Sequence, residues 1–396
     1  MEFQLASGPL EGIKVLDMTA YIAGPFACSL LADLGADVIK VEPPEGDMMR
    51  YYPSSIATES RTFLGVNRGK QGIVVDLKTK AGTDALVRIV SSMDVVVENM
   101  RPGVMTRLGI DYDVLKRSNP RLVYLSLTGY GGAGPMCDSA GYDQVLQSMT
   151  GIAVFQGAAR DGGPQLIQGS IVDFYASSMA ALGIVAALYR RASGEIGQRI
   201  GVSLLSAALS MQAGRFVRVD NEPYDIDRDL HGGLVAGIHP TKEGHIYLQA
   251  STPRFWMSLC TRIGLPDLAT DSRYDSVRKR AALGAELLPK LHTALKVKTA
   301  VEWEAILIGH VPCAVVRSIN EMFDDPQVIA QGLVERMEHA SVGGYQGLAR
   351  PIVFESTPLG PVHAAPGLGE HTDNILASAG FSATEISELR RSGAVK

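Results

Sequence analysis

Ile13-Lys-Val-Leu-Asp-Met18 and Asp37-Val-Ile-Lys-Val-Glu42 are two short runs rich in β-branched residues, separated by an apolar stretch, Pro25 to Leu34, that stops at Gly35. Runs of this kind bounded by turn residues read as strands. An apolar segment of helical length closed by glycine reads as a helix. The second run is itself closed by Pro43-Pro44. Strand, helix and strand in this order form a βαβ unit, because two parallel strands need a long crossover between them. This reading decides the fold class as α/β.

The alternation continues along the first half of the chain. A helix is expected over Ala81 to Ser92, strands over Asp94 to Glu98 and Leu122 to Leu127, and a long apolar helix over Phe174 to Arg191. Such a pattern builds a parallel sheet covered by helices. From about Asn221 the sequence becomes rich in Asp, Gly and His, and Tyr224 to Gly233 reads as a crossing between domains. A smaller α/β unit is expected beyond it, with strands His245 to Gln249 and Cys313 to Val316, a helix Pro253 to Ile263, and an amphipathic segment Thr299 to Ile308. Gly343 to Ser356 reads as extended and Thr384 to Arg391 as a closing helix; no internal repeat or low-complexity tract interrupts the chain.

At 396 residues the chain exceeds the usual size of one core, so two domains are expected. Hydrophobic residues at 46% and charged residues at 20% are ordinary for a globular protein. A net charge of −5 argues against a general binder of nucleic acid or membrane surfaces, which needs a basic excess. An anionic small ligand needs only a few local Arg or Lys. Cys28, Cys137, Cys260 and Cys313 are far apart and have no metal-ligand spacing, so neither a disulfide framework nor a metal is expected. Met1 to Gly12 has no secretory pattern, and the longest near-apolar segment, Met179 to Tyr189, is too short to span a bilayer. The expectation is a soluble, cytoplasmic protein.

Two generic motifs tempt. Gly129-Tyr-Gly131-Gly-Ala-Gly134 is a GxGxxG directly after an expected strand. A dinucleotide fingerprint must open a helix after the first strand, whereas Pro135, Met136, Cys137 and Asp138 continue a loop here. Gly65 to Lys70 imitates a P-loop, but its spacing is one residue short and Gln71 stands where Ser or Thr must reach magnesium. No HExxH or GxSxG occurs.

Other segments form an ordered series. These are Val15-Leu-Asp-Met-Thr19 with Ala23-Gly-Pro25, Leu34 to Glu42, Asn67-Arg-Gly-Lys70 with Val75-Asp-Leu-Lys78, and Asp94 to Asn99 with Arg101-Pro-Gly103. Gly141-Tyr-Asp143, Asp173 leading Gly183 to Leu188, Gly197-Gln198, and Pro366 to Asp373 complete it. In this order and spacing the chain resembles the class III coenzyme A transferases, the carnitine-dehydratase and bile-acid-inducible grouping, nearly from end to end.

The resemblance implies a Rossmann-like large domain built from residues 1–205 and 345–396, a small domain over 230–330, and linkers over 206–229 and 331–344. It also implies a homodimer of interlocked chains. The implied activity moves CoA from an acyl-CoA to a small carboxylic acid, with Asp173 as the nucleophile that forms a mixed anhydride and then an aspartyl thioester. Read from its neighbours alone, Asp173 also fits a cap for a helix starting at Phe174, and a helix N-terminus would keep the carboxylate ionised and offer N–H groups to an oxyanion. Asp143 matches an acidic position near the nucleophile, where it would orient or polarise; a surface helix cap is its other reading. Tyr142 stands where the related α-methylacyl-CoA racemases have a histidine, and a phenol is a poor acid/base group near neutral pH.

By resemblance Ala20, Tyr21, Ile22 and Ala23 line the first loop, and Val75, Lys78, Asn99, Met100, Arg107 and Tyr142 complete the expected CoA site. Solvated surface charge is the alternative for Lys78 and Arg107. Ile22 replaces a frequent glutamine, and Pro43 and Ala140 replace basic residues, which implies an acceptor pocket unlike that of the formyl/oxalate enzymes. His231-Gly-Gly233 is the nearest match to those enzymes' glycine loop, and a plain turn is its other reading. By analogy succinyl-CoA and small dicarboxylic acids are the preferred substrates. The rival readings are a racemase of the same fold, an NAD(P)-dependent oxidoreductase using Gly129 to Gly134, and a non-catalytic CoA-binding subunit.

Overall fold

Six strands, β1 Lys14–Met18, β2 Asp37–Glu42, β3 Lys70–Val74, β4 Val95–Glu98, β5 Val123–Thr128 and β6 Arg199–Ser203, pair in parallel in the order β3-β2-β1-β4-β5-β6. The computed structural model describes residues 8–156, 163–194, 196–223, 235–357 and 359–396. Tyr224 to Gly233, the expected crossing, lies outside the described residues together with its His231-Gly-Gly233 turn. The chain divides into two compact units, Met1–Phe216 with Gln327–Lys396, and Val217–Pro326.

In the first unit the helices are α1 Ala23–Asp33, α2 Arg61–Val66, α3 Lys80–Val90, α4 Val104–Arg107, α5 Tyr112–Ser118, α6 Asp143–Met149, α7 Ile152–Phe155, α8 Ile171–Ala192 and α9 Leu204–Ser210. The second contributes α10 Pro253–Arg262, α11 Pro266–Thr270, α12 Val277–Ala282, α13 Gly284–Leu295 and α14 Ala300–Leu307. After α15 Pro326–Ala330, the chain ends with α16 Thr372–Ser378 and α17 Ala383–Arg391.

Strand alternation splits the sheet's side chains between two cores. Val15, Val38, Val95 and Leu125 face one core, which α1 and α8 complete with Ala27, Leu31, Ala176, Ala180 and Ile184. Leu16, Ile39, Ile73 and Val96 face the other, completed by Leu86 and Ile89 of α3 and by Ile375 and Leu376 of α16. The C-terminal segment thus returns to close a layer that the first two hundred residues leave open. By length and composition alone α8 is long and apolar enough to span a membrane, a property that counting from Met179 to Tyr189 missed. Here its alanine-lined face packs on the sheet and α1.

The sheet's strand order reverses between β1 and β4, and in doubly wound sheets ligands bind outside the carboxyl ends of the strands at such a point. In this sheet the segments following Met18 and Glu98 occupy that position.

The second unit holds an antiparallel sheet of β7 Gly237–Pro240, β8 His245–Leu248 and β9 Cys313–Val315. Trp256 and Trp303 anchor its core, and their indole N–H groups donate to Leu268 O and Leu295 O. Back in the first unit, β10 Val334–His339 and β11 Gly343–Leu348 form an antiparallel hairpin. Most of the expected linker 331–344 is therefore paired strand, and α9 occupies the start of 206–229.

Under the N-terminus of α1 lies a group of charged residues shut away from water. Lys70 Nζ is 2.7 Å from Asp17 Oδ2, 2.7 Å from Pro25 O and 2.8 Å from Asn67 Oδ1. Lys40 Nζ lies 2.9 Å from Asp47 Oδ2 and 3.0 Å from Thr19 O. Beside them Arg50 bridges Glu42 at 2.7 Å and Glu59 at 2.6 Å. Burial alone would raise the Asp17 carboxyl, but the Lys70 and Lys40 charges and the Lys70 and Thr19 hydrogen bonds hold it below its ordinary value. Removing one partner of such a pair leaves an uncompensated buried charge, which costs about 3–5 kcal/mol. Lys70→Met is therefore expected to lower the unfolding free energy by about that amount in a denaturant titration, and Asp17→Asn in the same background to restore part of it, because the stranded charge is gone.

Candidate active site

α8 begins at Ile171, three residues earlier than its apolar run suggested, and its N-cap is Ser170, in a left-handed conformation and without a side-chain capping bond. Asp173 sits inside the first turn and is not the cap. The cap comes from elsewhere in the chain. Asp143, 2% exposed at the start of α6, accepts hydrogen bonds at Oδ2 from the backbone N–H of Val172 (2.6 Å) and of Asp173 (3.0 Å). Its Oδ1 accepts from Gln147 Nε2 at 2.5 Å, and Gln147 in turn exchanges two bonds of 2.9 Å with the backbone of Ile167. One turn of α6 therefore grasps the segment that leads into α8 and sets where Asp173 stands.

This arrangement reverses the expectation that the helix N-terminus would hold Asp173 ionised. The amides of the first turn are directed at Asp143, and among the described residues the Asp173 carboxyl receives no hydrogen bond. Burial raises its pKa, and the negative neighbour Asp143 raises it further, to about 7. The result is a poorly solvated carboxyl that is about half ionised at neutral pH, a combination found at catalytic sites. The N–H groups of Val172 and Asp173 are equally unavailable to an oxyanion, which corrects that expectation too.

The loop after β1 lies across the same turns of α8. Ser177 Oγ donates to Ala23 O at 2.7 Å, and the rings of Phe26 and Phe174 meet edge to face with centroids 4.9 Å apart. Asn99 does not present its amide to solvent. It accepts from Ala20 N at 3.0 Å and donates to Ala20 O at 2.8 Å, clamping the loop to the end of β4. Tyr21 N donates to Asp47 Oδ1 at 3.4 Å, and the Tyr21 ring stands edge-on to Tyr142 with centroids 5.9 Å apart. Ile22, the N-cap of α1, packs toward Met49 and Phe63. Met100 N is tied to Glu98 Oε2 at 2.9 Å.

Contacts thus join Ala20, Tyr21, Ala23, Asn99, Tyr142, Asp143 and Asp173 into one neighbourhood. No described contact joins Val75, Lys78 or Arg107 to it. The Val75 side chain is buried in the second core and its backbone pairs with Val395. Lys78 is exposed, 3.7 Å from Glu45, and Arg107 is the exposed last residue of α4. Sequence reasoning gave no role to Lys40, Lys70, Asp47 or Ser177, which hold the loop from beneath. Lysines within the apolar runs Asp37 to Glu42 and Lys70 to Val74 were the available signal.

The glycine-rich loop after β5 serves this site by a route unrelated to nucleotides. A Cβ on Gly129 would lie 2.7 Å from Gly141 Cα, so the two backbones touch and bring Tyr142 and Asp143 back beside the end of β5. The next helix, α6, opens only at Asp143, so the loop lacks the helix that a dinucleotide site requires. Lys70, the apparent P-loop lysine, is buried on Asp17. Among the described residues no group of three His, Cys, Asp or Glu is placed to hold a metal ion.

Comparison with known proteins finds similarity over most of the chain. Residues 10–372 match the model of CoA-transferase family III. The succinate–glutarate CoA-transferase of Agrobacterium fabrum is 34% identical over 381 residues, covering 93% of this chain and 95% of that protein. The human succinyl-CoA:glutarate CoA-transferase is 33% identical and covers 98% of this chain and 90% of its own. A crystal structure of a CAIB/BAIF family protein from Brucella suis superposes with a TM-score of 0.83 at 31% identity, covering 94% of this chain and 100% of that one.

The raised Asp173 pKa has a consequence for stability. An acid whose folded pKa is about 7 and whose ordinary value is 3.8 binds its proton more tightly when folded. Its contribution therefore turns unfavourable as pH climbs from about 4 to 7, and the full cost is present above 7. Asp173→Asn is expected to be more stable than the wild type at pH 8, by on the order of 2 kcal/mol, with the difference vanishing toward pH 4. Thermal melts across that range check it.

Proposed function

Since the chain belongs to CoA-transferase family III, we propose that it transfers CoA between two carboxylic acids with Asp173 as the covalent carrier. The observation that carries this reading is the Asp173 carboxyl itself: half-buried, raised to about 7, free of hydrogen bonds among the described residues, and adjoining the loop at the sheet's switch point.

Ionised Asp173 adds an oxygen to the thioester carbonyl of the donor, and the C–S bond breaks to give an acyl-aspartyl anhydride and CoA thiolate. The thiolate attacks the aspartyl carbonyl of that anhydride, releasing the donor's acid and leaving an aspartyl thioester. An incoming carboxylate displaces the thiolate to form a second anhydride. The thiolate then attacks the newcomer's carbonyl, and Asp173 is regenerated as a carboxylate. No water or net proton enters. Weak hydrogen bonding to Asp173 favours attack, since no donor needs to be stripped from it. Asp143 positions the nucleophile through the backbone of α8 and, by raising its pKa, makes it a stronger nucleophile when ionised.

CoA lies across the loops after β1 and β4 in this reading, with Ala20 to Ala23, Asn99 and Met100 shaping the pantetheine track and Lys78 and Arg107 offering charge to its phosphates. Succinyl-CoA and small dicarboxylic acids are the substrates this reading favours, supported by the names of the Agrobacterium and human relatives. A homodimer belongs to the same reading and is supported by large apolar side chains on α8 that stay in water, Leu182 at 70% and Tyr189 at 81% exposure. A reducing compartment such as the cytoplasm suits the four free cysteines.

Purified protein incubated with a panel of acyl-CoA donors and acid acceptors, read by mass spectrometry, is expected to yield the exchanged acyl-CoA with at least one dicarboxylic pair. Asp173→Ala is expected to abolish exchange, a fall of at least about 10³-fold. Hydroxylamine or borohydride trapping should mark the peptide that contains Asp173 in the wild type only. Exchange persisting in Asp173→Ala would remove the proposal.

A further inference from the structure

Among the described residues three that are not glycine adopt a left-handed backbone: Tyr21 (φ 69), Ser170 (φ 51) and Asn221 (φ 66). Asparagine reaches this region through its short polar side chain, whereas a bulky residue there is strained. Tyr21 persists there because its surroundings fix the chain on both sides. Thr19 N and Oγ1 donate to Asp17 Oδ1, and Lys40 Nζ donates to Thr19 O. Asn99 holds both backbone groups of Ala20, Asp47 accepts from Tyr21 N, and Ser177 holds Ala23 O. Glycine would adopt the same conformation without strain. What glycine lacks is the ring.

The ring's placement indicates its use. Tyr21 is 44% exposed and Tyr142 51%, yet the two stand edge to face. Tyr142 immediately precedes Asp143, whose carboxylate holds the backbone of Asp173. The loop bearing Tyr21 meets α8 at Ser177, one turn beyond Asp173. Asp173 is only half-buried, so its open side must be closed by groups from outside α8. Such closure matters because both covalent intermediates are electrophilic. Water adding to a carbonyl of the acyl-aspartyl anhydride breaks the bridging C–O bond and gives two carboxylic acids. The net result is acyl-CoA plus water yielding free acid and CoA thiol, with Asp173 unchanged.

Resting on the CoA-transferase reading, we infer that Tyr21 is a shielding residue: its ring, held in a glycine's backbone conformation against Tyr142, walls the acylated Asp173 from water. The test compares Tyr21→Gly and Tyr21→Phe with the wild type, using succinyl-CoA as donor and glutarate as acceptor. It reads free thiol released per molecule of exchanged acyl-CoA, together with the thermal midpoint. Tyr21→Gly is expected to melt at or above the wild-type temperature while its hydrolysis-to-transfer ratio rises about tenfold; Tyr21→Phe, which keeps the ring, shows a much smaller rise. An unchanged ratio in Tyr21→Gly, a lowered melting temperature, or equal rises in both variants would each overturn the inference. Where the wild type exchanges another pair in the donor and acid panel, that pair replaces succinyl-CoA and glutarate; failure of the wild type with every pair of the panel, which is run before the variants are compared, would overturn the parent reading as well.

Discussion

The N–H groups of Val172 and Asp173 both point at one oxygen of Asp143. That single contact does three things at once. It caps the longest helix in the structure at an end where Ser170 offers no capping bond. It takes up the positive end of the helix, so that Asp173 in the same turn gains none of the stabilisation a helix N-terminus normally gives an anion. It also stations a second carboxylate beside Asp173, which adds to the rise in pKa that burial already causes. An ordinary surface aspartate would be fully ionised at neutral pH and freely hydrated; one placed like this is half-buried and only about half ionised there.

Around this pair the structure uses buried charge as scaffolding. Lys40 and Lys70 bond carbonyls at the two ends of the loop after β1, at Thr19 and Pro25, while Asp17 and Asp47 accept from its amides. Each ion is costly to bury, and the carbonyls offset part of that cost by satisfying the remaining donors of each ammonium. The loop so held carries the strained Tyr21 and abuts α8. Rigid support beneath a site keeps a small number of contacts in fixed geometry, and here it comes from Asp17, Lys40 and Lys70 of the strands together with Asp47 and Asn99 of the adjoining loops.

Much of this was legible in the sequence, and what was not has physical reasons. The run Asp37 to Glu42 is a strand with the bounds its composition indicates, and the helices over Pro253 and Ala383 lie within a residue or so of where periodicity puts them. β3 and β6 escaped, since Lys70-Gln-Gly and Arg199-Ile-Gly open with polar residues and glycine and are strands because the neighbouring strand pairs with them. α8 starts before its apolar run because the cap is supplied by Asp143 across the fold, and no local pattern announces a cap from elsewhere in the chain. For the same reason the ionisation of Asp173 was misjudged: the helix end was visible, and the rival carboxylate that takes its amides was not. Asp143 and Asp173 themselves were found by resemblance, while the lysines that brace the loop lay inside quoted motifs without a role. Val75 was assigned to the CoA site by resemblance alone, and its side chain lies in the second core while its backbone bridges to Val395.

The account stands on a carboxyl that titrates near neutrality because it is buried and because Asp143 sits beside it. The pH dependence of kcat/KM for the acyl-CoA donor, measured with acceptor in excess, reports the ionisation of the free enzyme's nucleophile. An ascending limb with a midpoint near 7 is the predicted result. A profile already flat from pH 5 upward, as an ordinary carboxylate with a pKa near 3.8 would give, contradicts it.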